Sequence, residues 1–508
     1  MMLTWNELLN EIYRGEKVDT ECKLAGKEIP QSVYETYSSF ANSKGGDIIL
    51  GVEEDRSKAD PYDRFIIRGV PDPDKLRQDF WNTINGQKVS TNILVDDDVY
   101  VSTNGEISLL VIHVPRADYT SRPVYKGDNP FKGTYKRNHE GDYHAKEYEV
   151  RAMIRDQSSE GNDGTILEGY TMEDIDPSTL SRYRRMFNSD HPDHVWRELS
   201  DQDFMEMLGG YRKDHRTGVE GLTVAGLLMF GKGLVIRNEF DNILMDYRDE
   251  TGANATVRWT DRVTYDGTWE NNLFNFFMKV LPKLTSDLKK PFVLRNIQRE
   301  DDTSVNKAIR EAFVNMIIHS DYRMDAGVLK IIKAEDGFTF TNPGNLKLPK
   351  EQIYSGGNSK ARNPHMQTML RMVGFGENAG SGFPDILRAW EENGWPRPEL
   401  EEDTVLNQIT LRMNLLITES ADKSADKSVD ESVDGQLSAD KSVVNITLSP
   451  RHKDILEYME PDIFYSRQEI SDALGIKRSR TGQLLGELVS SGLISATGAT
   501  RYRRYVKK

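Results

Sequence analysis

The spacing of hydrophobic residues predicts helices and strands in the first third of the chain. Val33, Tyr37 and Phe40 recur at helical intervals, which indicates an amphipathic helix. The apolar runs at 48–52 and 109–114 are short, and each predicts a buried strand. We therefore expect an α/β domain in this part of the chain.

The same reasoning predicts a second mixed region around residue 300. A long amphipathic helix is expected from about Val305, followed by strands at 328–333 and 338–341. The apolar stripe of this helix consists of Ile309, Phe313, Met316 and Ile317. Upstream, 183–187 is expected to be helical, and 222–230 is strongly apolar.

A polar repeat marks the clearest boundary. Between about 418 and 443, Ser-Ala-Asp-Lys recurs in exact and altered copies, a composition too polar to form a core and typical of a flexible tether. A second break is expected at 157–164, which is almost free of apolar residues. We predict an α/β domain at 1–157, a mixed connecting region at 165–300, an α/β module at 301–417, a linker at 418–445 and a small domain at 446–508.

The last region has the element order of a winged helix-turn-helix domain. A helix begins at Ser466 with Glu469 three residues later, the signature of a capping box, and a second helix is expected at 479–489 before a hairpin. From Arg467 to Lys508 there are nine basic residues against three acidic ones, which favours an anionic partner. The predicted nucleic-acid contacts are Lys477, Arg478, Arg480 and Gln483 on the second helix, and Arg501, Arg503 and Arg504 on the wing. A winged helix that binds only protein is the alternative.

Composition excludes several classes of protein. The 508 residues include 81 Asp plus Glu and 66 Lys plus Arg, a net charge of −15 that is ordinary for a water-soluble protein. No apolar run approaches the roughly 18 to 20 residues that cross a bilayer, and the start lacks a secretory pattern, so we expect a cytoplasmic protein. Cys22 is the only cysteine, which excludes an intrachain disulfide and a thiolate zinc site within one chain.

One glycine pattern is misleading. Residues 226–233 match the spacing of a phosphate-binding P-loop, but the intervening side chains are large and apolar, and Gly233 stands where a Ser or Thr should hold magnesium. We interpret this stretch as part of a core.

The helix around residue 311 carries the more informative pattern. Glu311, Asn315 and His319 are spaced four apart and therefore share one face. A carboxylate one turn before a carboxamide can polarise water while the amide oxygen holds a divalent metal, as nucleotide hydrolysis requires. The stretch 306–322 resembles the N-box of GHKL-type ATPases, in the branch attached to proteins labelled RecG-like helicases.

That resemblance continues through 341–346, 359–364 and 374–386. It implies Mg²⁺ and ATP as cofactors, with Glu311 as the base and Asn315 as the magnesium ligand. The other nucleotide contacts that it implies are His319, Asn342, Gly344, Gly380, Ser381 and Gly382. The sequence departs from the family at Asn342, because the ATPases carry an Asp-containing glycine box there. Helicase motor motifs are absent from the sequence.

The first domain resembles the AlbA-type domain of Schlafen proteins. The stretches that carry the likeness are 16–23, 39–53 and 133–138. Schlafen nucleases use three acidic positions, and the resemblance maps them onto Glu16, Glu21 and Glu53, which would hold Mg²⁺ or Mn²⁺ and activate water against a phosphodiester. Phosphate contacts are expected from the basic residues Arg122, Lys126, Lys132, Lys136 and Arg137, with a solvated basic loop as the alternative.

Together these features predict an α+β multidomain protein: a Schlafen AlbA-like α/β domain, a GHKL-like α/β sandwich and a C-terminal winged helix-turn-helix. The predicted function is nucleotide-responsive binding of nucleic acid, DNA rather than RNA, by a homodimer in regulation of transcription or defence. Two alternatives remain open. One is a metal-dependent nuclease with the winged helix as its targeting domain, and the other is a non-catalytic interaction scaffold.

Overall fold

The computed structural model describes residues 2–58, 60–158, 161–241, 243–253, 257–286, 294–295, 298–299, 303–324, 327–357, 359–376, 382–415, 450–459, 464–474, 476, 478–490, 493–497 and 504–507. The chain divides into two compact units. The first comprises Met1–Ala117, Pro123–Ala145 and Asp426–Lys508, and the second comprises Asp118–Arg122 and Lys146–Ala425. Helices and strands occur in both units, which confirms the predicted mixed α/β multidomain class.

The N-terminal part of the first unit is built around a mixed sheet with strand order β1-β2-β6-β5. Strands β1 and β2 are parallel, and the other neighbours are antiparallel. Its helices are α1 (Trp5–Arg14), α2 (Ser32–Ala41), α3 (Pro61–Arg64), α4 (Pro73–Ile84) and α5 (Pro130–Gly133). Its strands are β1 (Thr20–Lys23), β2 (Gly46–Leu50), β3 (Val52–Glu54), β4 (Phe65–Ile67), β5 (Val99–Asn104), β6 (Ile107–Val114), β7 (Tyr135–Asn138) and β8 (Gly141–His144). A 3₁₀ turn occupies Asp96–Asp98.

Apolar periodicity places these elements as predicted. Val33, Tyr37 and Phe40 on α2 are fully buried, and so are Ile48 and Leu50 on β2. Strand β6, which is adjacent to β2 in the sheet, contributes residues to the same core. Hydrophobic burial thus fixes α2 and two central strands of the sheet, and the predicted helix and strands are confirmed.

The second unit contains more helices around a longer sheet. Its helices are α6 (Glu147–Asp156), α7 (Pro177–Asp190), α8 (Asp201–Met207), α9 (Val224–Phe230), α10 (Gly233–Glu239), α11 (Leu273–Thr285), α12 (Ser304–His319), α13 (Lys350–Ser355), α14 (Pro364–Arg371) and α15 (Gly382–Glu392). Its strands are β9 (Tyr211–Lys213), β10 (Glu220–Leu222), β11 (Leu244–Asp249), β12 (Asp261–Val263), β13 (Leu294–Arg295), β14 (Gln298–Arg299), β15 (Val328–Ala334), β16 (Gly337–Pro343), β17 (Glu399–Asp403) and β18 (Gln408–Asn414). Short 3₁₀ turns lie at Met172–Asp174 and Val195–Glu198.

The main sheet of this unit has the order β12-β11-β15-β16-β18-β17, with β11 and β15 parallel. Helix α12 packs against β16 and against α11, α14 and α15. The predicted stripe of α12 faces the core, since Ile309, Phe313 and Ile317 are fully buried and Met316 is 2% exposed. Because this stripe is buried, Glu311, Asn315 and His319 lie on a different face of α12.

The compact units differ from the predicted domain limits. Residues Asp118–Arg122 and helix α6 lie before residue 157, yet both belong to the second unit, and the region predicted as a separate C-terminal domain belongs to the first. Strand β11, from the predicted connecting region, pairs with β15 from the predicted module at 301–417. The sheet therefore contains strands from both sides of the domain boundary predicted at residue 300. The two strands are parallel, so the chain between them must form a crossover connection.

The stretch at 226–233 does not form a phosphate-binding loop. Residues Val224–Phe230 form α9, and every one of them is buried. A Cβ added to Gly226 would lie 1.9 Å from the carbonyl oxygen of Gly210, so this glycine permits close packing of two backbone segments.

The C-terminal part of the first unit consists of helices and a small sheet of order β19-β21-β20. Its elements are α16 (Pro450–Tyr458), β19 (Tyr465–Ser466), α17 (Arg467–Leu474), α18 (Arg478–Ser490), β20 (Ile494–Thr497) and β21 (Arg504–Lys507). The predicted capping box is present, because Ser466 and Glu469 exchange hydrogen bonds of 2.5 and 3.1 Å. The predicted linker at 418–445 lies outside the described residues.

Candidate functional site

A cavity in the second unit gathers the polar face of α12. Glu311, Asn315 and His319 line it from the helix, and Asn342 lines it from the end of β16. The helix begins at a Thr303 cap, whose side chain accepts a hydrogen bond from the Asn306 backbone N–H. Gly382 lines the cavity as well, so the structure brings together five of the residues that the sequence predicted to bind a nucleotide.

Glu311 and Asn315 interact directly. The Asn315 amide Nδ2 donates to Glu311 Oε1 at 3.2 Å, across one turn of α12. A Cβ added to Gly382 would lie 1.9 Å from the same Oε1, so the carboxylate lies against the first residue of α15. Glycine is required at 382 for this approach. Gly380 and Ser381 lie outside the described residues.

His319 is neutral at physiological pH. Burial lowers its pKa to about 4, and the positive charges of Arg362 and Lys347 act in the same direction. The backbone carbonyl of His319 accepts a hydrogen bond from Arg362. We therefore expect the imidazole to contribute an uncharged wall to the cavity, with hydrogen-bonding capacity but no cationic charge.

Asn342 lines the cavity from a nearly buried position on β16. It is 6% exposed, pairs with Ile409 of β18 in the sheet register, and donates from Nδ2 to the Pro343 carbonyl at 3.3 Å. Phe340, Ile409 and Leu411 form an apolar surface beside it. Such a floor with one amide suits a planar heterocycle.

A buried arginine, which the sequence reasoning missed, organises the far wall of the cavity. Arg362 is 2% exposed and donates to Asp156 at 2.8 and 2.7 Å and to the Asn345 carbonyl at 2.9 Å. Gly344 has φ +112°, and a Cβ added to it would lie 2.9 Å from Arg362 Nη1. Gly344 therefore makes room for the guanidinium and is not among the cavity-lining residues.

Basic side chains border the same cavity. Lys347 and Lys360 both line it. The Lys347 ammonium lies 4.5 Å from the centre of the Tyr119 ring, and burial lowers its pKa. Local positive charge, hard oxygen donors and an apolar floor together suit an anionic ligand with a planar base.

In the first unit, Glu16 and Glu21 are both 8% exposed. Burial, together with the negative charges of Glu21 and Glu54, raises the pKa of Glu16 to about 7 against smaller opposing effects of the Cys22 backbone N–H and Lys23. Glu21 forms ion pairs with Lys23 at 2.6 Å and with Arg137 at 2.8 Å. The two predicted acids therefore lie in one electrostatic cluster, and one of them carries a proton near neutral pH.

The third predicted acid, Glu53, is not part of that cluster. Successive side chains of β3 point to opposite faces of the strand, and Glu53 pairs with Arg68 at 2.7 Å while 40% exposed. Glu54 is the residue whose charge reaches Glu16, and it is bound by Arg56 at 2.8 Å and by Arg64. The register of β3 therefore brings the charge of Glu54, and not that of Glu53, within reach of Glu16.

The predicted metal set of Glu16, Glu21 and Glu53 consequently does not fit a metal ion. Across the described part of the chain, no group of three or more His, Cys, Asp or Glu side chains is arranged to hold one. Lysine and arginine side chains balance Glu21 and Glu54 instead.

An open groove runs beside Glu16. It encloses about 480 Å³, which lies within the range of roughly 300–1,000 Å³ usual for ligand pockets. Its lining consists of Glu16, Arg56, Arg64, Asn138, His139, Glu140, Gly141 and Tyr143. The groove therefore places an exposed tyrosine, and two arginines that are paired with Glu54, beside a carboxyl whose pKa is raised.

The predicted nucleic-acid contacts Lys136 and Arg137 are buried. Lys136 is 8% exposed and Arg137 2% exposed. Arg137 pairs with Asp142 at 3.0 Å and donates to the Lys17 carbonyl at 2.8 Å. The charge pattern marked them as surface residues, but the structure gives Arg137 a role inside the fold, joining β7 to the segment before β1.

The C-terminal basic set is only partly described. Lys477, Arg501 and Arg503 lie outside the described residues, as do the side chains of Arg478, Arg480 and Gln483. Arg504 is described, and it pairs with Glu469 and Asp60, each at 2.9 Å.

Comparison with known families agrees with the two resemblances drawn from the sequence. Residues 16–146 match the family described as "Schlafen, AlbA_2", and residues 326–412 match "Putative ATP-dependent DNA helicase recG C-terminal". Residues 151–246 match a domain of unknown function. The chain therefore contains a Schlafen AlbA_2 domain and a RecG-type C-terminal ATPase-like domain, while the winged helix stays a prediction.

Two solved structures are similar to this chain at low sequence identity. A crystallised protein from Corynebacterium diphtheriae is 18% identical over 96% of this chain and 92% of its own, with a TM-score of 0.37. The N-terminal domain of a RecG-related protein from Nitrosomonas europaea is 28% identical over 28% of this chain and 94% of its own, with a TM-score of 0.23. No curated protein matches the chain. Within the described residues, none of the helices has the length and apolar character needed to span a membrane.

Proposed function

We propose that this protein binds nucleic acid in a manner controlled by a nucleotide bound in the α12 cavity. The matched families indicate a function related to nucleic acid and linked to ATP. The observation that carries the proposal is the convergence of Glu311, Asn315 and Asn342 on one cavity, beside the first residue of α15. Regulation of transcription or of a defence response is the setting we propose, and the dimer and the cytoplasmic location stay predictions.

The residues present are suited to Mg-ATP. The amide nitrogen of Asn315 is engaged by Glu311, so the amide oxygen is the atom suited to Mg²⁺, which prefers oxygen ligands. The bound ion would neutralise phosphate charge. Glu311 would position water, and Asn342 with the apolar floor would hold the base.

Calorimetric titration tests this proposal. ATP and a non-hydrolysable analogue, each with Mg²⁺, are expected to bind the full-length protein, and duplex DNA affinity is expected to differ between nucleotide-loaded and free protein. No detectable heat at millimolar nucleotide would contradict the proposed ligand and would favour the scaffold alternative.

The C-terminal region supplies a second expected result. Removing residues 444–508 should weaken binding of duplex DNA and flatten its salt dependence, because each phosphate contact that is lost no longer releases a counterion. Fluorescence anisotropy across a salt series measures both quantities.

The matched control for this deletion is the double variant Arg478→Ala/Arg480→Ala, which keeps the domain and removes two charges. It should reduce the salt slope by about two. An unchanged affinity and slope in both proteins would assign this region another role, such as protein binding.

A nuclease is the second candidate, favoured by an open groove beside Glu16, whose pKa is raised. A carboxyl that titrates near pH 7 is suited to take a proton from an attacking water or to give one to the leaving oxygen of a phosphodiester. No step through a metal is assigned, because the predicted acid set does not fit one.

The two neighbouring acids of β3 make this candidate testable. If the cluster cuts nucleic acid, Glu21→Ala and Glu54→Gln should each reduce cleavage by at least about 100-fold, while Glu53→Gln should leave it within about threefold. Cleavage of labelled DNA and tRNA with Mg²⁺ or Mn²⁺ measures this. Cleavage that persists in Glu21→Ala, or the absence of cleavage by the unmutated protein, would contradict the nuclease assignment.

A further inference from the structure

The described arginine of the C-terminal sheet is held by acidic and aromatic side chains of the first unit. Arg504 Nη2 lies 2.9 Å from Asp60 Oδ2, and Nη1 lies 2.9 Å from Glu469 Oε2. Its guanidinium also lies over the Tyr62 ring, 4.6 Å from the centroid. The Arg504 side chain is only 13% exposed in this position, and each of its two terminal nitrogens donates to a carboxylate.

Aromatic packing joins the same two parts of the unit. Tyr13 of α1 and Tyr62 of α3 stack with ring centroids 4.3 Å apart. Phe464, immediately before β19, contacts both rings at centroid distances of 6.2 and 5.6 Å. Strand β20 also contacts α1. A stacked aromatic pair and a carboxylate therefore form one surface, here named the latch surface: Tyr13, Asp60 and Tyr62.

The position of the latch surface links it to the groove. Glu16, Arg56 and Arg64 line the groove. Tyr13 lies three residues before Glu16 in the chain, and Tyr62 lies between the two arginines. The C-terminal region thus contacts the elements that lead directly into the groove walls.

We propose that the latch surface is a docking site for the C-terminal domain of the same chain, and that docking and nucleic-acid binding through Arg504 exclude each other. A guanidinium bound to two carboxylates and stacked on a ring cannot also bind a phosphate with the same donors. Nucleic acid must therefore displace Asp60 and Tyr62, and the docked form is the low-affinity form. This inference rests on the proposed nucleic-acid binding by the C-terminal domain.

Asp60→Asn is the test substitution. Asp60 also caps α3, because its Oδ1 accepts from the Tyr62 backbone N–H at 3.0 Å, and asparagine caps a helix equally well. The substitution thus keeps the local fold and removes the charge that holds Arg504. Tyr62→Ala removes the stacked ring as a second, independent variant. Asp63→Asn is the matched control, since it removes the same charge from the exposed side of the same helix.

Two measurements on the full-length proteins separate docking from binding. Hydrogen–deuterium exchange of 504–507 and 61–67 should become faster in Asp60→Asn and Tyr62→Ala and stay unchanged in Asp63→Asn. Anisotropy with labelled duplex DNA should show an affinity gain of about three- to tenfold in the first two variants only.

Each contrary result has its own meaning. Exchange that is the same in all proteins overturns the docking itself. Faster exchange with no gain in affinity overturns the mutual exclusion. If even the unmutated protein and Asp63→Asn bind no duplex, the proposed function fails together with the exclusion, and the exchange data alone then decide whether the domain docks.

Discussion

Asn315→Ala is expected to lose most of the affinity for Mg-ATP, by about tenfold or more, whereas Glu311→Ala is expected to retain the nucleotide and stop its turnover. The two residues are one turn apart on α12 and face the same cavity, so they can serve one ligand in different roles. Loss of the amide removes a metal ligand and therefore weakens binding. Loss of the carboxylate removes the group that positions water, which lowers turnover by about 100-fold or more.

Glu311 has a further effect on binding in this structure. Its carboxylate lies against Gly382, the first residue of α15, where the positive end of the helix dipole favours an anion. A phosphate that approaches this helix end must compete with the carboxylate. We therefore expect Glu311→Ala to bind ATP at least as tightly as the unmutated protein.

Calorimetric titration with ATP and a non-hydrolysable analogue, alongside phosphate release, measures both effects. Lys307→Ala is the matched control, because Lys307 lies on α12 but is not among the cavity-lining residues. Equal loss of affinity in Glu311→Ala and Asn315→Ala would leave a binding site and remove the assigned roles.

Sequence periodicity predicted the helices and strands that position the cavity. The apolar stripe of α12 fixes which face is buried, and a spacing of four then places Glu311, Asn315 and His319 together without further information. These features are local in the chain, so a single sequence contains enough to predict them.

Features that depend on the register of a strand, or on residues distant in the chain, were harder to predict from the sequence. Glu53 and Glu54 are adjacent and chemically alike, and only the register of β3 decides that Glu54 faces Glu16. Arg137 follows a polar, basic pattern typical of a surface, yet it is buried by partners on other segments. Charge along the chain does not reveal which cations are paired after folding.

The ion pair between Arg362 and Asp156 is another such case, because its partners are 206 positions apart in the chain. The motif at 359–364 was visible in the sequence as part of the family resemblance, but nothing near it indicates a carboxylate from α6. The pair also explains why α6 belongs to the second unit, whereas the sequence placed the boundary after it.

Arg362→Ala is expected to destabilise the second unit by about 3–5 kcal/mol, the usual cost of leaving one member of a buried ion pair without its partner. The substitution removes both bonds to Asp156 and the donors to the Asn345 and His319 carbonyls. Arg388→Ala is the matched control, because Arg388 pairs with Asp385 at an exposed position and should cost about 0.5 kcal/mol or less.

The pH dependence of this loss identifies its cause. Burial opposes ionisation of Asp156, but Arg362, with smaller contributions from Lys347 and Arg122, outweighs burial and holds the pKa of Asp156 below its usual value. The pair therefore stabilises the fold above the pKa of the unfolded chain, and this contribution disappears as pH falls through the lower folded value. Without Arg362, burial should raise the pKa of Asp156, so the deficit of Arg362→Ala should be large at pH 7 and smaller near pH 4.

Urea unfolding followed by tryptophan fluorescence suits the measurement, since five of the seven tryptophans lie in the second unit: Trp196, Trp259, Trp269, Trp390 and Trp395. The double variant Asp156→Ala/Arg362→Ala completes a mutant cycle, and its loss should be clearly smaller than the sum of the single losses, because neither charge is then left buried alone. A deficit that is independent of pH, or losses that simply add, would show that Arg362 stabilises the cavity wall through its carbonyl contacts and not through Asp156.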